Sequence, residues 1–180
     1  MNAKFIYAGI ATASFALLSN FSLGEATASS WQLRTRNPQM ASQLIEHVEA
    51  NFLADTPVSL EQASVQAIAV GNRAPIYIVK SETTATANPS LLCDESGCLH
   101  MIYTADESSG FKQVWYGYIE SSFSAEAMIR ATGEVQAGLP VLEVLQLEAD
   151  KLQRFELAFN GDRYQARSQQ PALEAIAASI

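Results

Sequence analysis
Between Leu152 and Phe159 the chain alternates strictly, with Phe155, Leu157 and Phe159 on one side and Arg154 and Glu156 on the other, and Asn160-Gly161 follows at once. No other feature limits the fold so tightly. A period of two belongs to a strand with one buried and one solvated face, whereas a helix would scatter these residues around its axis. Asn-Gly is a strong two-residue hairpin signal, because both central residues of such a turn take positive φ. Arg163 to Arg167 is therefore expected to pair back on the preceding strand.

The same pattern recurs upstream. Val65–Val70 and Ile76–Ser81 are β-branched runs divided by Gly71-Asn72-Arg73-Ala74-Pro75, which reads as a hairpin. Leu99–Thr104 and Phe111–Glu120 flank the turn Asp106–Gly110, which reads as another. Met128–Thr132 is a short candidate strand, Gly133–Gly138 a turn-rich link, and Leu139–Glu148 a strand that tolerates Pro140 at its start. The polar residues 29–37 read as a flexible arm. Pro38 suits a first helical position with Asn37 as its cap, and Met40, Leu44, Ile45, Val48, Phe52 and Leu53 recur at helical spacing up to Asp55-Thr56-Pro57. That is one amphipathic helix over Pro38–Ala54. Pro171 opens a last segment, residues 171–180, expected as a short helix or a tail. The expected fold is α+β: an antiparallel, largely meandering sheet with the N-terminal helix packed on one face, all within one domain over residues 29–180.

Residues 1–28 read as a signal peptide. Lys4 supplies a positive charge, Phe5–Leu18 is uncharged and rich in apolar and small residues, and Ala26-Thr27-Ala28 is a small-x-small cleavage site. The competing reading is an uncleaved anchor over residues 5–24, which Ser14, Ser19, Asn20 and Ser22 weaken. Export places the chain in the periplasm or outside the cell, with no membrane association once the leader is cut.

In that compartment Cys93 and Cys98 are expected to form a disulfide, with Gly97 permitting the tight turn between them. A redox pair fits less well, since the spacing is not C-x-x-C and the flanks read as strand. A zinc site of Cys93, Cys98 and His100 lacks a fourth ligand. No metal or cofactor is expected.

The net charge is -8, and no run of Lys or Arg interrupts the acidic balance, which argues against a nucleic-acid partner. His47 and His100 stand in no motif with a nucleophile or metal partner, so His47 is expected on a solvated helix face and His100 in a structural role. Asp94, Glu95, Asp106 and Glu107 are hard oxygen donors, but the two acidic turns should lie roughly 20 Å apart at opposite ends of one strand. Solvated turn residues are the expectation. The aromatic set Tyr103, Phe111, Trp115, Tyr116 and Tyr118 is the most suggestive feature. Alternation puts Phe111, Trp115 and Ile119 on one face and Val114, Tyr116 and Tyr118 on the other. Either this is a central strand buried on both sides, which its continuous apolar character favours, or its Tyr-rich face is a binding platform.

From Pro75 to Tyr164, the hairpin, the Cys93–Cys98 loop with Gly97, the aromatic hairpin, Gly138-Leu139-Pro140 and the Asn160-Gly161 turn resemble a loose group of uncharacterised small exported bacterial proteins. That resemblance implies export and a β-rich core, and it carries no activity across. The functional expectation is a non-enzymatic exported binding module for a protein, peptide or glycan of the envelope, with Tyr103, Tyr116, Tyr118, Asp94 and Glu95 as candidate contact residues. Two alternatives are a small envelope hydrolase using dispersed carboxylates or His100, and an inhibitor of an exported enzyme that wedges in the Cys93–Cys98 loop.

Overall fold
Every strand pairing in the computed structural model, which describes residues 28–56, 58–61, 63–81, 92–94, 97–108, 110–119, 128–148 and 151–171, is antiparallel. The described elements in chain order are β1 (Ala28–Gln32), α1 (Leu33–Arg36), α2 (Pro38–Asn51), β2 (Ser64–Val70), β3 (Ile76–Lys80), β4 (Cys93–Asp94), β5 (Gly97–Asp106), β6 (Gly110–Ile119), β7 (Ile129–Gln136), β8 (Leu139–Glu148), β9 (Lys151–Phe159) and β10 (Tyr164–Pro171). Residues 1–27 of the expected leader, Glu95 and residues 172–180 lie outside the described residues.

The strands form two sheets rather than the single one expected. Sheet A runs β1-β2-β3-β5, with β4 on the β3 side of β5 and β6 on the other side; sheet B is the meander β10-β9-β8-β7. Alternate residues of sheet A feed two cores. On one side Val65, Ala67, Tyr77, Val79, Leu99, Met101 and Tyr103 join Ala41, Leu44, Ile45 and Val48 of α2. On the other, Ile68, Ile76, Ile78, Ile102 and Ile119 meet Leu142, Val144, Leu157 and Phe159 of sheet B. Each such aliphatic side chain contributes about 1.5–3 kcal/mol by leaving water. Burial on both faces is why β2, β3 and the first part of β5 read as continuous apolar runs.

Three expectations about connections need correction. The polar residues 29–37 are not a free arm: β1 pairs along β2 from Ala28↔Val70 to Gln32↔Gln66, and α1 follows it directly. An edge strand is held by backbone bonds, so a polar sequence does not preclude it. Gly133–Gly138 is not a link, because β7 continues to Gln136 through a bulge and turns at Ala137-Gly138, both with positive φ (47° and 93°). The Thr132 hydroxyl holds that bulge, donating to the Val141 carbonyl at 3.2 Å and accepting from the Glu134 N–H at 3.3 Å. Pro171 closes β10 opposite Gln153 rather than opening a new segment.

The Asn160-Gly161 signal marks a hairpin, as read, but the loop spans the four residues 160–163 between the pair Phe159↔Tyr164. The Asn160 Oδ1 accepts from the backbone N–H groups of Asp162 and Arg163, both at 2.9 Å, and Gly161 takes φ 100°. The side chain thus stands in for a backbone acceptor inside the turn.

Candidate binding groove
The register of β5 with β6 breaks between Ile102↔Trp115 and Tyr103↔Gln113, leaving Val114 as an extra residue. One inserted residue reverses the facing of everything beyond it. Phe111 and Gln113 therefore share the α2 side with Tyr116 and Tyr118, while Val114, Trp115 and Ile119 face sheet B. The strict alternation expected for this strand is wrong for that reason. Only Val114 and Ile119 of β6 are buried, so the strand is not sealed on both faces either.

Past the bulge, the Trp115 indole lies over Gly117, where a Cβ would stand 2.7 Å from both Cη2 and Cζ2. Tyr116 is 57% exposed, the one large apolar side chain so open among the described residues, and its ring meets Phe52 at 5.5 Å with a 59° tilt. Trp115 and Tyr116, together with Gln113 and Val114, form one wall of an open groove of about 420 Å³; Arg163, Tyr164 and Gln165 form the other. That size lies within the range of about 300–1,000 Å³ for small-ligand sites.

Several contacts fix the walls. The hydroxyl of the buried Tyr164 donates to the Pro140 carbonyl at 2.7 Å, and burial pushes its phenol well above the ordinary range. The Gln113 amide donates to the Tyr103 hydroxyl at 3.4 Å; burial pushes Tyr103 up to about 12, against the opposing pull of that bond. Beside the groove, Lys112 and Asp162 pair at 2.6 Å and tie β6 to the β9–β10 loop, and this bond holds the Asp162 carboxyl below its ordinary value.

Of the contact residues expected from sequence, Tyr116 alone is open at this groove. Tyr118 is half-buried against the α2 core, Tyr103 is 2% exposed within it, and the Asp94 side chain lies outside the described residues. Trp115, Gln113, Arg163 and Gln165 were missed as groove residues, because they meet only where β10 folds back beside β6, a tertiary neighbourhood that carries no local sequence signal. The two cysteines are bridged, with Cα atoms 4.0 Å apart and the residues directly opposite in the β4–β5 register. No protein-family model, curated protein or solved structure matches the chain.

The other chemical candidates sit apart from the groove. His100 is 1% exposed on the sheet B side of β5, with Nδ1 2.8 Å from the Cys98 carbonyl. His47 is half-buried rather than solvated, edge-on to Tyr103 at 6.0 Å and to Phe111 at 5.8 Å. Glu143 pairs with Arg130 at 2.6 Å, and Arg167 meets both Glu134 at 2.7 Å and Glu156 at 3.2 Å across the solvent face of sheet B. Asp106 accepts from the N–H and hydroxyl of Ser108 within its own turn. A second groove of about 310 Å³ lies beside α2, where Arg34 donates to the carbonyls of Ala63 and Glu61 and Glu49 accepts from the Leu60 N–H. Arg34 and Glu49 are engaged in holding the chain between α2 and β2. Among the described residues no cluster of three or more His, Cys, Asp or Glu is placed to hold a metal, and no helix is long and apolar enough to cross a membrane.

Proposed function
We propose that the chain is an exported binding module whose groove between β6 and β10 receives an envelope ligand. The observation that carries the reading is the meeting of Trp115 and Tyr116, neighbours in sequence, on one open groove whose other polar lining is two amides and a guanidinium. Aromatic walls offer apolar area and a hydrogen-bonding tip, while the amides each donate and accept. Neither His100 nor any carboxylate lines the groove between β6 and β10, which favours recognition over acid–base chemistry there. Export is supported by the tripartite leader pattern and by the Cys93–Cys98 bridge.

The test is to recover the protein from outside the cytoplasm, establish that its chain starts near Ser29, and titrate it with short glycans and extended peptides while following Trp115 emission against a Trp115→Phe control. Tyr116→Ala is expected to weaken binding by about 30-fold, the scale of a buried aromatic anchor of about 2 kcal/mol. Binding that is indifferent to Tyr116 sinks the reading.

A further inference from the structure
We infer that the ligand of this groove is a glycan whose sugar units carry a carboxylate, with Arg163 as the carboxylate's partner; the inference rests on the groove being the binding site. The chain as a whole is acidic, at net charge -8, yet the groove is lined by no carboxylate and by one cation, Arg163. Its neighbour Asp162 is bonded to Lys112 at 2.6 Å and feels Arg163 only as a lesser charge effect, with no hydrogen bond between them. The backbone of Arg163 is fixed by the Asn160 Oδ1 at 2.9 Å, and its own carbonyl accepts from the Asn160 N–H at 3.1 Å, so the exposed guanidinium projects from an ordered loop. A guanidinium presents a planar fork of donors that matches a carboxylate in two parallel bonds. The acidic surroundings act against long, densely charged polyanions, but an ion pair in contact is screened far less than charges a Debye length of about 8 Å apart.

The same groove favours a sugar over a peptide. An extended peptide would bind the edge of β6 through a ladder of backbone bonds, and the extra residue Val114 breaks the regular spacing of that ladder beside the groove. A glycan needs no ladder. Its ring offers a face of C–H groups to one aromatic of the lining, Trp115 or Tyr116, which stand on opposite faces of β6, and a rim of hydroxyls to the Gln165 amide, and both kinds of surface are present here.

The experiment titrates the purified protein with a short oligosaccharide containing glucuronic acid and with the neutral glucose oligosaccharide of the same linkage and length. The acidic sugar is expected to bind at least tenfold more tightly, with the gap closing as salt rises. Arg163→Gln should bring the acidic sugar down to the level of the neutral one without weakening the neutral one further. Equal affinity for the two sugars, or a preference that survives Arg163→Gln, overturns the inference. If an acidic peptide binds through Tyr116 while neither sugar binds, the glycan assignment fails and the groove stands. If no probe senses Tyr116→Ala, the groove itself falls.

Discussion

Two glycines separate two kinds of constraint on a single residue. At Gly117 the problem is space, since any side chain meets the Trp115 ring within 2.7 Å. At Gly161 the space around the position is open, and the constraint is a φ of 100°. Gly117→Ala is expected to cost about 1–3 kcal/mol by forcing the indole out of its seat, and the displaced ring should shift its fluorescence emission. Gly161→Ala should also destabilise, through backbone strain, yet leave the Trp115 emission where it is. An emission spectrum unchanged by Gly117→Ala would mean that the ring does not depend on the missing Cβ, and denaturant melts of both variants supply the stability half of the comparison.

At the level of elements, the sequence was most readable where alternation and turn chemistry agree. The strands β2 and β3, β5 and β6, and β9 with its Asn160-Gly161 turn are all legible in this way. Bulges were not, because an extra residue such as Val114 leaves the composition of a strand unchanged and alters only which face each neighbour occupies. The consequence for the site was direct: the bulge carries Phe111 and Gln113 to the α2 side with Tyr116 and leaves Val114 and Trp115 together on the sheet B side. Arg167, which stands at the register shift between Ala166 and Ser168, shows the same effect on sheet B, where it reaches Glu134 in the bulged part of β7. The short β4–β5 hairpin makes its own prediction. Closing so small a ring stabilises by about 2 kcal/mol in the loop-entropy model, so Cys93→Ala with Cys98→Ala should still fold. Its Tm should fall by about 4–8 °C at the sensitivity usual for a chain of this size. Complete loss of cooperative melting would show that the bridge holds far more than its own turn.

For the molecule as a whole, three buried phenols set the alkaline limit. Burial raises Tyr77 above its ordinary value of 10.0, raises Tyr103 to about 12, and raises Tyr164 further. The folded state thus keeps protons that the unfolded chain gives up from about pH 10. Stability from these groups is complete below that point and falls as pH rises through the folded values. The urea midpoint should therefore be level from neutral pH to about pH 10 and drop steeply above it, while Tyr164→Phe, already weaker for losing its bond to Pro140, should show a shallower drop. A midpoint flat throughout would contradict the burial of these rings. That there are two sheets was not legible, because a strand covered on both faces reads as an unbroken apolar run whatever covers it, α2 or a second sheet.

The bridge between facing cysteines has one more consequence. Because β5 sends Met101 and Tyr103 to one core and His100 and Ile102 toward the other, sliding it by a single residue against its neighbours would exchange the contents of the two interiors. Cys93 and Cys98 are locked opposite each other at the strand's start, so oxidation pegs the phase of β4 against β5, while β3 and β6 hold the rest of that strand.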